Sequence, residues 1–138
     1  MSDAPYHEHP DCILICMQWL AAQRRTARPS RTVRPIKHLI EAWAGRYVSR
    51  HDVIEGARRL NIGGHYPLFA IDSRLVLPDV RRLANIGEAM TQLNYIYALE
   101  HQTCAAGPYG PYASAESGRT VADEVAARVE AAGQERAA

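Results

Sequence analysis

The double glycine Gly63-Gly64, lying between a capped amphipathic run and Pro67, constrains this chain more than any other feature. Upstream of it, Ser49 with Asp52 three residues later forms a capping box, which satisfies the free amide hydrogens of a helix start. Val53, Ile54, Ala57 and Leu60 then recur at three- and four-residue spacing, while Arg50, Glu55, Arg58 and Arg59 fall mostly on the other side. A helix over about 50–60 is expected, ended by Asn61-Ile62-Gly63-Gly64. Glycine takes positive φ without steric cost, so this pair suits a sharp reversal.

Two continuations are open after the reversal. Pro67 is tolerated in the first turn of a helix, Pro78 ends one, and Leu68, Ile71 and Leu75 make an i, i+3, i+7 stripe between them. That spacing favours a second helix, and helix, turn, helix is one way to build a DNA reader. The alternative is a short β-hairpin at 66–77, with Asp72-Ser73 as its turn pair. In the first case His65, Tyr66, Asp72, Ser73 and Arg74 face a groove, and in the second they decorate a wing beside the preceding helix. The expected fold is therefore mainly α, a small helical domain of helix-turn-helix or winged-helix type.

Charge gives the same region a partner class. The formal net charge of the 138 residues is +1, yet residues 24–59 carry ten basic residues against three acids, a net of +7. From residue 113 onward three arginines face five acids. A basic strip beside a DNA-reading element is what phosphate contacts need, because each neutralised phosphate releases counterions. Arg46, Arg50, Arg58 and Arg59 are expected near phosphates, and His65, Ser73 and Arg74 near bases. Residues 26–35 place Pro29 and Pro35 among Arg28, Arg31 and Arg34, which reads as an extended basic connector able to follow a phosphate backbone.

The rest of the chain supplies a core. Pro10 opens an apolar helix through about Arg25, with Ile13, Cys16, Met17 and Leu20 on one face. Ile36, Leu39, Ile40 and Trp43 mark a short helix closed by Gly45, with Trp43 as a core anchor. Residues 79–102 read as one interrupted or two consecutive helices, broken near Gly87, with Tyr95 and Tyr97 as amphipathic surface. These pieces give one compact domain over 1–104. The tandem Gly107-Pro108-Tyr109 and Gly110-Pro111-Tyr112 reads as a linker over 105–118. A short amphipathic helix and tail follow over 119–138, capped by Thr120 with Asp123. Its narrow stripe of Val121, Val125 and Val129 docks on the domain, pairs with a second copy to make a homodimer, or frays.

Several function classes are disfavoured. The longest apolar stretch is far too short to span a membrane and no charged leader with a cleavage site precedes it, so a cytoplasmic protein is expected. Three cysteines do not suggest a disulfide framework, and the Ala- and Arg-rich composition with one lysine suits a GC-rich, bacterial or phage-like source. His7, His9, Cys12 and Cys16 are the nearest thing to a metal constellation, but their spacing matches no strong zinc signature and no metal is expected. No phosphate loop, dinucleotide fingerprint, nucleophile elbow or HExxH pair occurs, so neither catalysis nor a cofactor is expected. The leading expectation is a small non-enzymatic regulator that binds duplex DNA. The alternative is an adaptor or inhibitor whose basic face engages a partner protein, as in blocking a nucleic-acid-handling machine.

Overall fold

The computed structural model describes residues 5–103 and 112–137, with side chains given for 5–100 and 112–134. In chain order the helices and strands are α1 (Pro10–Ala21), α2 (Ile36–Ala44), α3 (Arg50–Arg59), β1 (Gly64–His65), β2 (Leu68–Phe69), β3 (Leu75–Leu77), α4 (Ala98–Thr103), β4 (Tyr112–Ala115) and α5 (Val121–Ala137). The fold is mainly α with two small sheets. No helix among the described residues is long and apolar enough to cross a membrane.

The three leading helices follow their local signals. His9 caps α1 by accepting from the Asp11 amide, and Pro10 occupies the first turn, where its missing N–H costs nothing. Cys12, Ile15, Cys16, Trp19 and Leu20 from α1 are fully buried. Both halves of the Ser49–Asp52 capping box form at α3. Gly45 ends α2 with φ of +61°, and Trp43 is buried as expected, its Nε1 donating to the Pro78 carbonyl at 2.9 Å. α3 packs along α1, where a Cβ on Gly56 would lie 3.2 Å from Cys16 Cβ. The α1 helix is shorter than its apolar pattern predicts because the chain peels away to pair with 70–72. Thr26 N donates to Ala70 O, Asp72 N donates to Arg24 O, and Arg25 bridges Ile71.

No second helix follows the glycines. β1 and β2 form a two-stranded antiparallel hairpin whose turn is Tyr66-Pro67, joined by a cis peptide bond, rather than Asp72-Ser73. Phe69, Ala70 and Ile71 are buried in succession, and burial alternates only along β3, where Leu75 and Leu77 are buried and Val76 is not, so the helical stripe read from Leu68, Ile71 and Leu75 does not describe the segment. Backbone demand reinforces this outcome: Ala70 N donates to Gly63 O, and Phe69 O accepts from Ser30 N. Asn61 takes φ of +56° and Gly64 takes +85°, where a Cβ would fall 2.4 Å from the Leu68 carbonyl oxygen.

β3 does not return onto β2 but pairs in parallel with β4, aligning Leu75 with Tyr112 and Leu77 with Ala115. The linker read over 105–118 therefore gives way to a core strand at its carboxyl end. Tyr112 is buried and its hydroxyl accepts from Trp19 Nε1 at 2.9 Å, while 105–111 lie outside the described residues. Gln23 covers the other edge of β3, its amide exchanging two hydrogen bonds with the Val76 backbone at 2.9 Å each.

The segment 79–102 is less helical than expected. It forms 3₁₀ turns at Val80–Leu83 and Leu93–Tyr95 before α4. Its amides are used non-locally: Met90 N donates to Ala44 O and Gln92 N to Gly45 O, which satisfies carbonyls left free at the end of α2. α5 completes the same core by burying Val125 and Ala132. Arg128 reaches from it to the Trp43 carbonyl, another acceptor at the α2 terminus.

Candidate nucleic-acid interface

α3 and the β1–β2 hairpin enclose an open depression of about 460 Å³. Ala57, Ile62 and Phe69 form its apolar floor, while Arg50, His51, Arg58, His65 and Tyr66 supply cationic or polar groups at its walls. Arg50, Ile54 and Arg58 line it from α3 at i, i+4 and i+8, which places them in one row along the helix. His51 Nδ1 accepts from the Tyr6 amide at 3.1 Å, so a neutral imidazole there carries its proton on Nε2.

The structure sorts the arginines by partner. Arg46, expected near phosphates, is instead an interior cation only 4% exposed, bound by Glu8 at 2.6 Å and Glu88 at 2.9 Å. Burial works to lower its pKa, but the hydrogen bonds to Glu8 and Glu88 outweigh this and raise it. Arg58 and Arg59 both bond Glu55, at 2.6 and 2.9 Å. Those hydrogen bonds, led by Arg58, bring the Glu55 carboxyl down to about 2. Arg81 pairs with Asp79, Arg82 with Glu116 and Arg119 with Glu124. Arg24, Arg25, Arg28, Arg31 and Arg50 are exposed and form no ion pair within 4.0 Å among the described residues, although Arg24 lies close enough to Asp72 to help the Arg74 amide hold its carboxyl below the ordinary value.

The residues expected near bases are not brought together. His65 shares the depression with α3. Ser73 lies against Arg34 and Pro67 on the far side of β2, where its carbonyl accepts from Arg34 Nη2 at 3.3 Å. Arg74 lies beside Arg24 and Val76, with its amide donating to Asp72 at 2.9 Å. Arg28 and Arg31 flank another shallow hollow with Ser73. The connector is nevertheless continuous with the hairpin, since Ser30 N and Thr26 N bond the backbone of Phe69 and Ala70. Sequence reasoning treated Ile54 as part of the buried stripe and did not place His51 at this interface. The i, i+4, i+8 row through Arg50 and Arg58 was the available signal for Ile54.

The cysteines and histidines near the amino terminus take structural positions. Burial pushes the Cys12 thiol up to about 11 and raises Cys16 well above its ordinary value, so both are neutral near pH 7. His7 Nδ1 lies 2.7 Å from the buried Asp52 carboxylate, and His9 caps α1. Among the described residues no three His, Cys, Asp or Glu side chains are grouped to hold a metal ion. Cys104 lies outside the described residues. No protein-family model, curated protein or solved structure matches the chain.

Proposed function

We propose that this protein is a non-enzymatic regulatory protein that binds duplex DNA through a winged-helix module. α3 is the reading helix and the β1–β2 hairpin is the wing. The observation that carries this reading is the depression between them, walled by Arg50, Arg58 and His65. The element order supports it: a first helix, an extended residue Arg25, two further helices and a hairpin followed directly by Ile71, which bridges back to Arg25. A reading helix enters the major groove with its amino-terminal residues at the base edges, and Arg50 opens α3. Arg25, Arg28 and Arg31, which form no ion pair among the described residues, lie at the connector beside the wing, where such cations are available to phosphates. Titration against a random-sequence duplex pool across a salt series tests the reading. Binding that weakens steeply with salt and enriches particular sequences supports it, whereas no binding at low salt refutes it.

The apolar floor under a cationic rim also supports a second reading, an adaptor or inhibitor that seats an acidic, DNA-like protein surface. A stoichiometric protein complex that survives Ile54→Ala poorly, with no duplex affinity, selects it.

A further inference from the structure

Ile54 is one of four large apolar side chains exposed among the described residues, at 39%, and it alone of them lines the depression. It belongs to a helix whose other apolar residues, Val53 and Ala57, are buried on α1, so its exposure is not required by the core. One turn before it stands Arg50, exposed and without a carboxylate partner among the described residues, while Arg58, one turn after it, is held by Glu55. Two adjacent positions of one helix row thus present a free guanidinium and a bare branched alkyl group. Resting on the DNA-binding reading above, we infer that Arg50 and Ile54 form a two-residue reader for a guanine close to a thymine in the major groove.

The chemistry of the base edges supports this pairing. Guanine offers O6 and N7 to a bidentate guanidinium, and thymine is the base with a methyl group in the major groove, which an alkyl side chain desolvates. Residues four apart are separated by about 6 Å along the helix axis. With base steps of about 3.4 Å, the two side chains fall one to two base pairs apart. An acidic or amide residue in place of Ile54 would select a different edge.

The test uses the full chain and the best duplex recovered from a random pool, compared with the same duplex carrying deoxyuridine in place of thymine. Loss of the buried 5-methyl group is expected to weaken binding by about fourfold. Ile54→Ala should bind the thymine and uracil duplexes equally, while retaining the preference for guanine. Arg50→Ala should lose about fivefold to 150-fold at the guanine and keep the thymine-uracil difference. Both side chains are exposed, and the circular dichroism melt of each variant checks that it folds like the parent. Sequence-selective binding with no thymine-uracil difference in the parent overturns this inference while leaving the DNA-binding reading intact. Absence of any duplex binding at low salt overturns both.

Discussion

Glu55 controls how much positive charge α3 presents, because one half-buried carboxylate accepts hydrogen bonds from both Arg58 and Arg59. Glu55→Gln removes that charge and leaves two guanidinium groups for phosphates. Duplex affinity at low salt is expected to rise about threefold to tenfold, and the salt dependence to steepen, as read by fluorescence anisotropy. The pH behaviour follows from the same contacts. A carboxyl lowered to about 2 in the folded state supports folding above its ordinary value of 4.5, and that support disappears as pH falls through about 2. Glu55 therefore remains charged from pH 5 to 8, and NMR titration of its side-chain carbon should find no inflection in that range. Arg46 shows why residue type alone misled: its chemistry suits phosphate, but Glu8 and Glu88 already occupy it.

At the level of elements, the hairpin depends on Gly64. Its φ of +85° and the approach of Leu68 O to 2.4 Å from a built Cβ leave no room for a side chain. Gly64→Ala is expected to cost about 1–3 kcal/mol in a urea melt and to weaken duplex binding, because the wing must open while α3 remains folded. The carboxyl end of α2 depends on a different element. Arg128 lies 5% exposed on α5, and burial lowers its pKa to about 10, so it stays charged at neutral pH. Its Nη2 satisfies the Trp43 carbonyl, while Nη1 has no hydrogen-bond partner among the described residues. Arg128→Ala is expected to destabilise the protein by about 2–3 kcal/mol, by stranding the carbonyl and losing the packed stem. Arg128→Met keeps the stem and sheds the cost of a buried cation, so its loss should be smaller, about 1 kcal/mol. Chemical denaturation of the two variants separates the contributions.

For the whole molecule, the distribution of unpaired charge predicts the salt response. Replacing Arg24, Arg25, Arg28 and Arg31 together by Gln should flatten the slope of log affinity against log salt by about 3 to 4, if each meets one phosphate. Sequence preference should persist, because the replaced residues lie on the connector side of the hairpin and not in α3. What the sequence determined by itself was local: the Ser49–Asp52 box and the Gly45 stop, both set by contacts within about one helical turn. The choice between helix and hairpin over 66–77 was open in the sequence, because a local helical stripe competed with pairing to Ser30 and Thr26, some forty residues upstream in the chain. The linker reading failed at Tyr112 for a similar reason, since its partners Trp19 and Leu75 are distant in sequence. In the candidate site, Arg50 and Arg58 were legible as cations, and His65 as a polar side chain, near one reversal. Which cations remain free was decided only by tertiary structure, because Arg46 meets Glu88 across 42 residues and Arg82 meets Glu116 across 34. Local spacing specifies helices through hydrogen bonds to near neighbours, whereas the free charge on a surface depends on which distant carboxylates the fold brings within reach.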